Sequence, residues 1–149
     1  VTENLADLLA RCRSHDTISV EEVDRALAQR VDDAVGPVAH EVKLRPVLAG
    51  NTVHMDAAIA NRLLPQFAKR LHYRLLDVST LKIFWNDSFS GPEFNKEDEA
   101  LIRRFLPTGF TLPSAKAHDA YYDIHATLAE MNYYRQQLSA NRGDTVRLQ

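Results

Sequence analysis

The stretch PVLAGNTVHMDAAIANRLLP, Pro46–Pro65, decides the fold class. PVLAG is a continuous apolar run of strand length that ends in glycine, and it reads as a short buried parallel strand. DAAIANRLL, from Asp56 to Leu64, then keeps helical spacing until Pro65, whose ring removes an N–H and crowds the preceding turn. The same order recurs at once. QFAKRLH adds a short helical piece, LLDV over Leu75–Val78 is a second buried strand, and Ser79 is placed to cap the helix STLKIFW. Strand followed by helix, twice, argues for α/β layering with a parallel sheet. Two strands are too few for such a sheet, which needs cover on both faces and partners along its edges. Further strands are therefore expected from upstream sequence or from another chain.

Outward from this centre the pattern is helical. Thr2 precedes Leu5, Leu8, Leu9 and Cys12 at amphipathic spacing, which predicts a short helix ending near Ser14. Ser19 and Glu22 have capping-box spacing, and Val20, Val23, Leu27, Val31 and Val35 follow before Gly36-Pro37. Downstream, NDSFSGPEFN is turn chemistry, and Lys96–Leu106 reads as a helix. A long helix follows from His118 to Leu138, with Tyr121, Ile124, Leu128, Met131 and Leu138 as its inward stripe. Residues 1–138 read as one domain and 139–149 as a frayed tail.

Composition narrows the class. The 149 residues are 45% hydrophobic and 26% charged, and no apolar run approaches the roughly 18–20 residues of a membrane span. A net charge of −2 supplies no global positive field for long nucleic acid, so a nucleic-acid ligand is expected to be short or locally held. The lone Cys12 cannot form an intramolecular disulfide, which fits a reducing, intracellular setting. Nothing near Val1 resembles a secretory or transit signal.

Single residues do not reveal a function. Asp56 at a helix start is more often a favourable partner of the helix dipole than a metal ligand. His118 and Asp123, five residues apart, are a spacing that chance supplies freely. His54 and His72 have no zinc-like neighbours and no Cys pairs. Arg62, Lys69, Arg70, Arg74 and Lys82 make the middle of the chain basic, as a solvated helix face also would.

Three blocks taken in order are more specific: LAGNTVHMD (Leu48–Asp56), HYRLLDVSTLK (His72–Lys82) and HDAYYDIHATLAEMNYYR (His118–Arg135). Together they resemble the oligoribonuclease family, in the His-containing branch of the DEDD exonucleases, over about Leu48 to Arg135. The resemblance implies a ribonuclease-H-like α/β fold and a 3′-to-5′ exoribonuclease that degrades two-to-five-nucleotide RNA to mononucleotides. It also implies two Mg²⁺ or Mn²⁺ ions, a homodimer and a cytoplasmic setting, or a mitochondrial one for a longer precursor. Asp56 and Asp123 match metal carboxylates, and His118 matches the general base, a role suited to a side chain that titrates near neutrality. Tyr73 matches the residue that reaches across the dimer onto a dinucleotide-sized substrate. Arg74, Ser79 and Thr52, with Asn51 beside it, match the substrate-binding positions around the terminal phosphate.

The departures are specific as well. The family's first motif, an Asp-x-Glu on an early strand, has no counterpart, because Glu21-Glu22 and Asp32-Asp33 fall on an amphipathic helix and read as solvent-facing charges. The expectation is an exonuclease fold without its first three strands, helix-rich, with two short parallel strands. Tyr122 stands where the family has a second Asp, and the connection from Asn86 to Ala117 is longer than usual. The alternative is a catalytically inactive module that dimerises or binds short oligonucleotides.

Overall fold

The computed structural model describes residues 10, 13–14, 17–37, 41–112 and 120–140. Most of the expected Thr2–Ser14 helix, Cys12, His118 and residues 141–149 lie outside the described residues. The elements are α1 Val20–Val35, a 3-10 turn at Val42–Leu44, β1 Leu48–Gly50, α2 His54–Leu63, α3 Pro65–Ala68, β2 Leu75–Asp77, α4 Val78–Ser88, α5 Glu99–Phe105 and α6 Ala120–Ala140. Strands β1 and β2 pair in a two-stranded parallel sheet, so the described chain is the helix-rich α/β arrangement with two short strands that the sequence implies. The strands are not buried as expected: Leu75 and Leu76 are exposed and Leu48 is only half-buried. A sheet of two strands has no inner strand, so neither run is enclosed on all sides.

The chain forms two compact units, one from Val1–Leu48 and Val53–Leu76, the other from Ala49–Thr52 and Asp77–Gln149. In the first unit α1 begins in a complete capping box. The Glu22 N–H donates to Ser19 Oγ at 3.2 Å, and the Ser19 N–H donates to Glu22 Oε2 at 2.8 Å. Gly36, at φ 84°, closes the helix in a backbone conformation that disfavours a Cβ. Helices α1 and α2 both pack on α3. Pro65 at the first position of α3 has no N–H, and the next two N–H groups, of Gln66 and Phe67, donate to the buried Asp24 carboxylate at 3.0 and 2.8 Å. A side chain of α1 thus caps a helix that is too short to be stable alone.

Two of the acidic residues expected to face solvent also have structural partners: Glu22 is exposed as expected, whereas Asp32 is half-buried. Glu22 belongs to the capping box, and Asp32 takes a two-pronged hydrogen bond from Arg70, Nε at 2.8 Å and Nη2 at 2.7 Å. The third Arg70 arm, Nη1, donates to the Gln66 carbonyl at 2.8 Å. Burial works to raise the Asp24 pKa, but the Phe67 and Gln66 N–H donors outweigh it and hold the carboxyl below its ordinary value. The Arg70 hydrogen bonds likewise lower Asp32. Folded pKa values below the unfolded ones mean that the unfolded chain binds more protons. This contribution to stability is therefore complete above the unfolded value of about 4 and is lost as pH falls through the folded values. Melting temperatures recorded from pH 7 to pH 3 should fall steeply below about pH 4 in the parent protein. Asp24→Asn should start lower at pH 7 and show a shallower acid fall.

The second unit has an aromatic core of Trp85, Phe94, Ile102, Phe105, Leu112, Tyr122, Tyr133 and Tyr134 around Ala126 and Ala129. Helices α4 and α5 pack on α6. Helix α4 is capped by Asp77 through the Ser79 N–H at 2.9 Å, not by Ser79, so the helix begins at Val78. Helix α5 begins at Glu99 rather than Lys96, because Asp98 accepts the Leu101 N–H at 3.0 Å. The inward stripe of α6 is also corrected. Tyr121 and Ile124 are 61% and 63% exposed, and the buried face is Tyr122, Ala126, Ala129 and Tyr133. Small side chains let the neighbouring helices approach this face. The polar residues that share it are partnered: Asn132 Nδ2 donates to the Phe105 carbonyl at 2.8 Å, and His125 Nδ1 lies 2.7 Å from the Tyr121 carbonyl. Burial pushes the Tyr134 hydroxyl up to about 12, as in a phenol enclosed by a core.

Candidate functional site

The loop after β1 is built by hydrogen bonds, and all of its partners belong to the second unit. Thr52 has φ 55°, a left-handed conformation unusual for a residue with a branched Cβ. Its N–H is held twice, by Asp77 Oδ1 at 3.0 Å and Ser79 Oγ at 3.2 Å. The Ser79 hydroxyl donates to Asn51 Oδ1 at 3.0 Å. Asn51 Nδ2 in turn donates to Thr127 Oγ1 and Glu130 Oε2, both at 3.0 Å. Glu130 is 1% exposed and is paired with Lys96 Nζ at 2.9 Å. Three of the residues expected at the substrate, Asn51, Thr52 and Ser79, therefore share one network.

Tyr73 and Arg74 belong to the first unit, as does Asp56. The Tyr73 ring is 73% exposed, so it is not a core residue. His72 stacks on it at 4.4 Å and the Arg74 guanidinium lies 5.6 Å from its centroid. The His72 N–H donates to the Pro46 carbonyl, and His72 Nδ1 accepts the Arg74 N–H at 2.9 Å, which leaves Nε2 to carry the proton of the neutral ring. Beside them is a pocket of about 430 Å³ whose lining includes Arg45, Leu48, Ala60, Asn61, His72 and Tyr73. A flat aromatic face, a cation on its ring and a concave apolar wall suit a nucleobase and its phosphate.

Asp56, in the first turn of α2, and Asp123, in the first turn of α6, are both exposed. Asp123 belongs to the second unit, and His118 is outside the described residues. Among the described residues no group of three His, Cys, Asp or Glu side chains is arranged to share a metal ion. Asp56 and Asp123 supply carboxylate oxygens, the donor type that hard Mg²⁺ and Mn²⁺ ions take. Tyr122, at the position of the family's second Asp, is a core residue whose hydroxyl pKa is raised by burial and by Glu99 and Asp123. Of the five basic residues in the middle of the chain, Arg70 is taken up by Asp32 and Lys82 by Glu93.

Sequence reasoning missed Asp77, Lys96, Thr127 and Glu130. Asp77 had a readable signal, because an Asp two residues before a Ser N–H is an Asx turn. Glu130 had none, since its partner Asn51 is 79 residues away.

Comparison with known proteins places this chain in a family. A family model described as an exonuclease matches residues 2–131. The oligoribonuclease of Mycobacterium ulcerans is 31% identical over 134 residues, 88% of this chain and 54% of that protein. A probable oligoribonuclease of Dictyostelium discoideum is 34% identical over 121 residues, 79% of this chain and 50% of its own. The bovine mitochondrial oligoribonuclease is 34% identical over 99 residues, 65% of this chain and 35% of its own. The chain spans about half the length, or less, of these relatives. With a matched model over most of its length and relatives of one kind, this chain belongs to the exonuclease family and is related to the oligoribonucleases.

Proposed function

We propose that the protein acts on short RNA as an oligoribonuclease-type 3′-to-5′ exoribonuclease that releases mononucleotides. The exposed Tyr73 ring with Arg74 against it carries the reading, because a solvated aromatic next to a guanidinium and a pocket is arranged to hold one base and one phosphate. In this proposal Tyr73 stacks on a base, Arg74 forks onto a phosphate, and Thr52 and Ser79 take the terminal phosphate. His118 takes the proton of the attacking water. The exonuclease family uses divalent metal ions, and Asp56 and Asp123 are the carboxylates proposed to face Mg²⁺ or Mn²⁺. A cytoplasmic setting and a homodimer complete the proposal. The dimer is supported by Met55, Ile59 and Leu63, exposed at four-residue intervals on α2. Among the described residues no helix is long and apolar enough to cross a membrane.

The same exposed Tyr73 and Arg74 platform also supports a second reading, a module that binds short oligonucleotides without cleaving them. Incubation of the full chain with a 5′-labelled dinucleotide and Mn²⁺ separates the two. Release of mononucleotide that disappears in both Asp123→Ala and His118→Ala is the exonuclease outcome. Saturable binding without release is the binding-module outcome, and absence of both would sink the two readings together.

A further inference from the structure

We infer that Glu130 is a positioning residue for the phosphate-binding pair Thr52 and Ser79, and that it acts through Asn51. The inference rests on the reading above in which that pair meets the terminal phosphate.

Hydrogen-bond polarity sets the direction of the network. Glu130 sits on α6 with 1% exposure, between Lys96 Nζ at 2.9 Å and Asn51 Nδ2 at 3.0 Å. A carboxylate paired with an ammonium group only accepts, so the Asn51 amide must turn its NH₂ toward Glu130 and its oxygen away. That oxygen, Oδ1, then has the Ser79 hydroxyl 3.0 Å from it and takes its proton. With its proton spent on Asn51, Ser79 Oγ presents a lone pair to the Thr52 N–H, 3.2 Å away. The relay ends at the residue with the least comfortable backbone in the network, Thr52 at φ 55°. Left-handed residues with branched side chains persist where their surroundings over-determine them. Thr52 is exposed, whereas the group that sets the relay's direction is sealed in α6. A carboxylate that is 1% exposed costs desolvation even beside an ammonium group, and orienting the Asn51 amide is a return consistent with retaining it.

The test compares a dinucleotide with a 5′-phosphate against the same dinucleotide without it, by calorimetric titration of the full chain. Glu130→Gln keeps the shape but offers Asn51 a group that donates as well as accepts, so the amide is free to flip. The ratio of the two affinities is expected to fall about tenfold, with the unphosphorylated ligand changed by less than about twofold. Asn51→Ala cuts the same relay from its other end and leaves the Glu130–Lys96 pair intact, so it carries the test if Glu130→Gln does not fold. The double variant should lose no more of the ratio than Asn51→Ala does alone. An unchanged ratio in the folded variants, equal losses for both ligands, or additive losses in the double variant would overturn the role of Glu130 while leaving the phosphate reading in place. A parent protein indifferent to the 5′-phosphate would overturn both.

Discussion

Trp85→Ala is expected to destabilise the second unit by about 3–5 kcal/mol, the range for removing a buried indole. The ring stacks on Phe89 at 4.8 Å and meets Tyr133 edge-on, and its Nε1–H donates to the Pro92 carbonyl at 3.1 Å and the Gly91 carbonyl at 3.3 Å. The turn NDSFSGPEFN is therefore folded against the indole, and Gly91 is there because of it. A Cβ on residue 91 would fall 2.1 Å from Trp85 Cζ2, which the stiff ring cannot evade by rotating a single bond. Gly91→Ala should cost about 1–3 kcal/mol through overpacking, without removing any native contact. Urea unfolding followed by far-ultraviolet circular dichroism measures both variants. Because Trp85 is the single Trp, its fluorescence also reports Gly91→Ala directly. A Gly91→Ala protein as stable as the parent, with unshifted emission, would show that the turn does not lie on the ring.

How much of this was legible in the sequence depended on how far apart the partners stand. The capping box at Ser19 and Glu22 is local, and it was readable and is present. Strands β1 and β2 were readable as short apolar runs, although their burial was not, since it depends on neighbours that periodicity does not describe. On α6 the longer apolar side chains Ile124, Leu128 and Met131 stand out in the sequence, but packing selected the Ala126 and Ala129 face, where a small residue lets two helices come close. Asp24 reads as another helix-surface acid, and only its partners 42 and 43 residues away turn it into the cap of α3. Asn51, Thr52 and Ser79 emerged as a group through the family resemblance. Some of the hydrogen bonds that join them run within the group or to Asp77, and the others run to Thr127 and Glu130, which have no sequence mark.

Tyr73→Ala is expected to weaken dinucleotide binding by about 1–3 kcal/mol, roughly 5- to 150-fold, which is the value of one base stacked on an aromatic side chain. Its stability should move by no more than about 0.5 kcal/mol, because a ring that is 73% exposed has little packing to lose. This separation of effects is what distinguishes a ligand platform from a structural aromatic. Tyr73→Phe keeps the π face and should retain nearly all of the affinity, since among the described residues no hydrogen bond from the hydroxyl supports the ring. Arg74→Lys is the sharper companion. Lysine keeps the charge but loses both the planar face that lies on Tyr73 and the fork that grips two phosphate oxygens, so it should bind more weakly than the parent although the net charge is unchanged. Titration of each variant with one dinucleotide, alongside its melting temperature, gives the answer. If Tyr73→Ala lowers the melting temperature and leaves affinity unchanged, the ring supports the fold and the nucleotide-binding surface must be sought elsewhere.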